Sequence, residues 1–204
     1  MTDSEILSEI HRCITVEADS LIKLNSEFDD AAVLAVAKAL MSCRGKIIIS
    51  GCGTSAMAAK KIAHSLCCIE IPALFLAPAD AVHGGLGALQ AEDILILISK
   101  GGATQELLCL IPACREKGSS LIAVSENKNS TLARSADIYL PVKVAREADR
   151  FNMLATSSVL SVISIFDAIC VALMQMTDYT KEQFAVIHPA GAVGQRLLHE
   201  LKQS

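Results

Sequence analysis

Ile94-Leu95-Ile96-Leu97-Ile98 is an unbroken apolar run that opens directly into Ser99-Lys100-Gly101-Gly102-Ala103-Thr104-Gln105-Glu106. A short strand apolar at every position must be covered on both faces, which is the situation of a parallel sheet sandwiched between helices. The turn that follows carries glycines and hydroxyls and leads into a helical start. Such a turn points backbone N–H groups and a helix N-terminus at the space beyond the strand, where an anion can be held. Glu106 on the first helical turn sets a carboxylate close to that anion. A sister arrangement lies earlier, where Lys46-Ile47-Ile48-Ile49-Ser50 runs into Gly51-Cys52-Gly53-Thr54-Ser55-Ala56.

The rest of the chain alternates in the same way. Residues 5–24 show helical spacing, and Asp29 caps an alanine-rich helix over residues 30–41 by accepting from its first free N–H groups. Strands are predicted at residues 46–50, 72–76, 93–99, 120–125 and 138–142. Helices are predicted at about 56–68, 104–117, 131–136, 156–177, 180–186 and 193–202, and residues 78–87 read as loop. The alternation predicts an α/β fold, a three-layer αβα sandwich on a five-stranded parallel sheet, doubly wound in the flavodoxin-like manner. With no linker, repeat or low-complexity block, residues 1–204 read as one domain. N-terminal helices (1–44) pack on the sheet-bearing core (45–204) or between subunits.

Composition narrows the function classes. With 52% hydrophobic residues and a mean hydropathy of +0.45, the chain can build a large core. Aromatic residues make up 3% and tryptophan is absent, which removes the stacking platforms of a single-strand binder. The formal charge of −4 argues against a phosphate-backbone partner, so no nucleic acid is expected. Residues 159–176 have the length and hydropathy of a membrane span, but Asp167 near their centre favours a core helix, so no membrane partner is expected. The acidic N-terminus does not resemble a signal peptide. The eight cysteines lack CxxC or zinc spacing and read as reduced, mostly buried thiols of a cytoplasmic protein.

Ligands of parallel sheets sit at the carboxyl ends of the strands, which is where both glycine turns fall. Gly51 to Ala56 fits the dinucleotide spacing GxGxxG/A. That use calls for an acidic residue ending the second strand, and Asp80 lies too far along. Two hydroxyl-bearing turns facing one crevice, with Ser50, Thr54, Ser55, Ser99 and Thr104, suit a phosphate monoester better. By residue type alone, Glu147 reads equally as one charge of the Lys143, Arg146, Glu147, Asp149, Arg150 cluster, and His188 as a helix-break residue beside Pro189. His83 lies in a glycine-rich loop that lets backbone approach a ligand.

Six stretches occur in one order: residues 51–55, 78–87 (PADAVHGGLG), 99–106, 142–147 (VKVARE), 155–158 (ATSS) and 188–191 (HPAG). Together they resemble a sugar isomerase (SIS) domain, and specifically the isomerase domain of D-arabinose-5-phosphate isomerases, over about residues 45–198. The resemblance implies interconversion of an aldose phosphate and a ketose phosphate through an enediolate, without cofactor or metal, in a homodimer or homotetramer. Arabinose 5-phosphate and ribulose 5-phosphate are the lead pair. It implies that Glu106, Glu147 and His188 are catalytic, that His83 contacts the sugar, and that Ser99 and Thr104 hold the phosphate. Ser50, Gly51, Gly53, Thr54, Ser55, Lys100 and Gly101 would complete the binding site. The chemistry suits these types: a carboxylate raised by burial and a histidine titrating near neutrality can move the protons.

Departures from the family pattern leave room for other readings. Thr54 stands where a catalytic lysine is usual, Gly101 and Ala103 where hydroxyl and acid are usual, and Gly85 where aspartate is common. Lys100 is expected to return a positive charge near the phosphate. A C-terminal pair of regulatory CBS modules is expected to be missing. The alternatives are a non-catalytic sugar-phosphate-binding module, and an isomerase of another pentose or hexulose phosphate.

Overall fold

The computed structural model describes residues 1–201, the side chain of Leu198 excepted. Two helices come first, α1 (Asp3–Glu27) and α2 (Asp30–Ser42). Thr2 and Glu5 close a capping box on α1, and the Asp29 carboxylate accepts from the Ala32 N–H to start α2. There follow β1 (Ile47–Gly51), α3 (Thr54–Cys67), β2 (Ala73–Phe75), α4 (Pro78–Ala81) and a 3-10 turn at Gly85–Ala88. The chain continues through β3 (Ile94–Ile98), α5 (Gln105–Leu108), α6 (Ile111–Lys117), β4 (Ser120–Ser125), α7 (Thr131–Ser135) and β5 (Ile138–Pro141). It ends with α8 (Ser157–Met176), α9 (Lys181–Ile187) and α10 (Gly191–Leu201). The expected extension of the last helix to residue 202 lies outside the described residues.

All five strands are parallel, in the order β2-β1-β3-β4-β5. The order reverses direction between β1 and β3, so a crevice opens there at the carboxyl edge. Alternation along each strand divides the core. Ile47, Ile49, Ile94, Ile96, Ile98, Ile122 and Val124 face α2, α3 and α8. Ile48, Leu95, Leu97, Leu121 and Ala123 face the layer that supplies Leu107, Leu110 and Leu132. This is the three-layer sandwich that the apolar runs predicted.

Three expectations need correction. The helix predicted over residues 104–117 is two helices, because Pro112 lacks an N–H and its ring crowds the carbonyl four residues back; it is accommodated in the first turn of α6. Residues 78–87, expected as loop, hold α4 and most of the 3-10 turn, with Pro78 preset for a helix start. The cysteines are all free, but only Cys114 and Cys170 are buried, while Cys67 and Cys109 are exposed.

Helix α8 is long and apolar enough to cross a membrane. Here one of its faces, with Ile165, Phe166, Ile169 and Leu173, is built into the core, and Asp167 pairs with Lys61 of α3.

Two local features fix the edges of the sheet. Asp93, 2% exposed, accepts from the Lys46 N–H at 2.8 Å, the Lys46 Nζ at 2.6 Å and the Gln90 N–H at 2.8 Å. It thereby ties the entry of β1 to the entry of β3. Burial works against its charge, but these donors hold its carboxyl below the usual aspartate range. At the other edge Gly102 has φ +69°, and a Cβ there would lie 2.2 Å from Ser130 Oγ. Its carbonyl accepts from the Leu132 N–H at 3.2 Å, so the turn after β3 leans directly on the start of α7.

Asp93→Ala is expected to cost about 1–3 kcal/mol for each of the two N–H groups it strands, read as a lower urea midpoint. An unchanged midpoint would show that the staple contributes nothing. Gly102→Ala combines about 1–2 kcal/mol of left-handed strain with the collision at Ser130. Its midpoint is expected to fall further than that of Gly101→Ala, where the space for a Cβ is open; equal falls would refute the close-approach argument.

Candidate active site

The first turn is shaped by its glycines. A Cβ on Gly51 would lie 2.8 Å from the Ser55 carbonyl group, so only glycine lets the first turn of α3 fold back over the end of β1. Gly53 and Thr54 are exposed and Ser55 half-buried, at the N-terminus of a helix with no side-chain cap. The Ala56 N–H donates to the Gly53 carbonyl at 3.0 Å, which leaves the Thr54 and Ser55 N–H groups to face an outside acceptor. Ser50 does not line the crevice: it is fully buried, and its hydroxyl donates to the Leu76 carbonyl at 2.7 Å. Burial, together with the Glu106 carboxylate, pushes the Cys52 thiol up, which leaves it a poor nucleophile at neutral pH.

The second turn is internally braced. Ser99 Oγ and Thr104 Oγ1 share a hydrogen bond of 2.8 Å, and the Gly102 N–H donates to Ser99 Oγ at 3.1 Å. Ser99 is 5% exposed and Gly101 is open to solvent. Lys100, whose side chain keeps about two fifths of its surface in solvent, reaches across the crevice to the Glu147 carboxylate. It lines one small cavity with Ser55, Ser125, Ser158 and the apolar walls Ile98, Val124 and Val142.

Glu147 is the best-defined group in the site. It is 1% exposed. Oε1 accepts from Lys100 Nζ at 2.6 Å. Oε2 accepts from the Thr156 N–H at 2.9 Å, the Thr156 hydroxyl at 3.1 Å and the Ser158 N–H at 3.2 Å. The carboxylate therefore caps α8, whose own N-cap residue makes no side-chain cap. The loop that presents it is also tied, with the Glu147 N–H on Asn152 Oδ1 at 2.6 Å and the Ala148 N–H on Thr156 Oγ1 at 2.9 Å. Burial favours the neutral acid, but Lys100, Ser158 and the N–H groups of Thr156 and Ser158 reverse that and bring the pKa down to about 2. The expectation of a carboxyl raised by burial thus fails at Glu147. Hydrogen bonding to the charged form outweighs desolvation.

The remaining candidates are less closely gathered. Glu106 is exposed on the first turn of α5, near Cys52 of the sister turn. His83 is exposed in the loop after α4. His188 is half-buried at the end of α9, with Nδ1 3.0 Å from the Phe184 carbonyl and its ring stacked on Phe184 at 4.0 Å. Among the described residues, no hydrogen bond or ion pair joins His83 or His188 to Glu147, Lys100 or Glu106.

Sequence reasoning gave no role to Thr156, Ser158, Ser125 or Glu126. Thr156 and Ser158 hold the Glu147 carboxylate, Ser125 lines the cavity and Glu126 flanks Lys100 at 3.8 Å. Ser125 and Glu126 were within reach of the strand-end rule, since they close β4 at the same edge.

The SIS domain family model matches residues 40–172. The chain is 34% identical over 196 residues to arabinose 5-phosphate isomerase KpsF of Escherichia coli O6:H1, covering 96% of this chain and 60% of that protein. It is 36% identical over 201 residues to arabinose 5-phosphate isomerase GutQ of Salmonella typhi, covering 98% and 62%. The chain thus spans about three fifths of the length of these relatives. Among solved structures, a candidate sugar-phosphate isomerase of Listeria monocytogenes str. 4b F2365 superposes with a TM-score of 0.92 at 55% identity, covering 93% of this chain and all of that one. An Escherichia coli CFT073 protein in complex with arabinose 5-phosphate gives a TM-score of 0.89 at 29% identity, with the same coverage. The doubly wound sheet, the paired glycine turns at its switch point and this matched span lead to one conclusion: the chain belongs to the SIS domain family.

Proposed function

We propose that the chain catalyses aldose–ketose isomerisation of a sugar phosphate, with arabinose 5-phosphate and ribulose 5-phosphate as the lead pair. One observation carries this reading: Glu147 is buried, ionised and tethered to Lys100 beside the Ser99–Thr104 turn. The isomerase names of its relatives and the sugar-phosphate complex of a structural neighbour support it. The open N–H groups of α3 and the Ser99–Thr104 turn hold the phosphate. Glu147 takes the proton from C2 of the aldose through Oε1, the electron pair moves into a C1–C2 double bond, and the carbonyl oxygen becomes part of the enediolate. Return of the proton to C1, with the proton of the C2 hydroxyl passing to the C1 oxygen, yields the ketose.

A carboxylate held at about 2 is a weak base. It becomes effective when Lys100 shifts from Oε1 toward the developing enediolate oxygen, which removes the charge that suppresses Glu147 and stabilises the intermediate. In this role Lys100 answers for the cation missing at Thr54.

His188 fits the same chemistry as an acid/base for ring opening and hydroxyl protons, supplied by a second copy. Helices α9 and α10 pack chiefly on each other, and their Val186 and Val193 are exposed, as are Ile6, Leu7, Ile10, Ile14 and Ile22 of α1. Apolar surface of that extent suits contact between subunits, in a homodimer or homotetramer.

In deuterated water, the wild type is expected to exchange hydrogen at C1 and C2 of a pentose phosphate, followed by NMR across a panel of pentose and hexose phosphates. Binding without exchange would make the protein a sugar-phosphate sensor. Glu147→Gln and His188→Ala are each expected to lower kcat by about a hundredfold or more; if both fold and keep wild-type turnover on every accepted pentose phosphate, the reading fails. Lys100→Ala is expected to raise KM and lower kcat, and unchanged values for both would exclude Lys100 from the site.

A further inference from the structure

Glu126 has no part in the mechanism above, yet it stands against its central ion pair. It is the first residue after β4, at the same edge of the sheet as Lys100, and its backbone N–H donates to the Lys100 carbonyl at 2.9 Å. The two side chains therefore leave neighbouring strands from one fixed point. Glu126 Oε1 is buried and, among the described residues, accepts no hydrogen bond. Its ion-pair partner is Lys100 Nζ at 3.8 Å, and the same Nζ lies 2.6 Å from Glu147 Oε1. One ammonium thus stands between two carboxylates: a close partner that is otherwise saturated by α8, and a farther one with an oxygen still unfilled. An unfilled buried carboxylate oxygen is costly, and approach of the ammonium would satisfy it.

We infer that Glu126 is a positioning residue for the isomerisation, acting through Lys100: it gives the ammonium a second carboxylate partner, so that Lys100 can leave Glu147 Oε1 free for the substrate's proton. The inference rests on the isomerase reading. It extends that reading by explaining how Lys100 moves without being stranded between anions and substrate. As Glu126 gains its charge, Lys100 is drawn off Glu147; with Glu126 protonated, Lys100 rests wholly on Glu147 and suppresses it.

The groups facing Glu126 set when this happens. Burial raises its pKa and the Glu147 carboxylate raises it further, while Lys100, the Val144 N–H and Lys143 lower it; the net direction is upward. Tyr139 of β5 also senses its charge. The sign follows. Rising pH ionises Glu126 above the usual glutamate range, releases Glu147 and increases kcat, so Glu126 produces the acidic limb of the rate profile.

The test compares Glu126→Gln, Glu126→Asp and the wild type on the accepted sugar phosphate. Glu126→Gln keeps the shape and removes the charge, so kcat is expected to fall about tenfold with KM within about twofold, and the acidic limb is expected to disappear. Glu126→Asp is expected to restore both in part. A second readout is independent of turnover. In carboxyl-carbon NMR titrations of the folded protein, the Glu126 midpoint is expected to move up in Lys100→Met and down in Glu147→Gln. Unchanged kcat and pH profile in Glu126→Gln, with an active wild type, would overturn this inference and leave the isomerase reading intact. A Glu126 midpoint indifferent to both neighbours would overturn it as well. A wild type that turns over no sugar phosphate would instead overturn the isomerase reading, and with it any catalytic use of Glu126.

Discussion

The site depends on one carboxylate that does two jobs with its two oxygens. Glu147 Oε2 closes the N-terminus of α8, filling N–H groups that Thr156 and Ser158 would otherwise leave open. That frees Oε1 to face Lys100. A buried carboxylate without such donors would take up a proton or move out to water. Here the helix end and the ammonium together keep it charged and immobile. The α8 start, the loop after β5 and the turn after β3 are therefore locked to one another through a single side chain, and α8 in turn packs on α3, α1 and α2. Chemistry and architecture share the same hydrogen bonds.

The sheet explains why these parts meet. Parallel strands deliver every turn of one kind to one edge, and the reversal of order between β1 and β3 leaves the crevice uncovered there. Ser99, Lys100 and Gly102 arrive from β3, Ser125 and Glu126 from β4, and Glu147 from beyond β5. Gly51 and Gly102 allow the backbone to approach α3 and α7 more closely than any side chain permits. These close approaches fix the turn geometry before any ligand arrives, which is the preorganisation an anion-binding site needs.

Much of this was legible in the residues. Ile94 to Ile98 declared a doubly covered strand, and the two glycine turns declared the working edge. What escaped was everything set by contacts between distant segments. Glu147 stood out as a candidate, but its charge state follows from Lys100, Thr156 and Ser158, which no local spacing connects. Reasoning from burial alone gives the wrong direction for its pKa, because burial is counted and donors are not. Ser50 looks like a pocket hydroxyl because it ends a strand. In fact it faces inward to the Leu76 carbonyl. Pro112, by contrast, is a local signal, and it is enough to split the helix after β3.

The position of the cation has a consequence for the phosphate. With Thr54 in the first turn, no lysine stands at the N-terminus of α3, and Lys100 is already engaged by Glu147 and Glu126. On the reading proposed, a doubly charged phosphate must then be held chiefly by neutral donors: the open N–H groups of α3 and the hydroxyls of Ser55 and Thr104. Neutral donors aligned by a helix suffice for an anion when they are fixed beforehand. Such a division leaves the cation for the reacting carbons and not for the handle of the substrate. It also places both carboxylates that compete for Lys100 on the sugar side of the crevice. On the same reading, a change in the charge of either one reaches the enediolate directly.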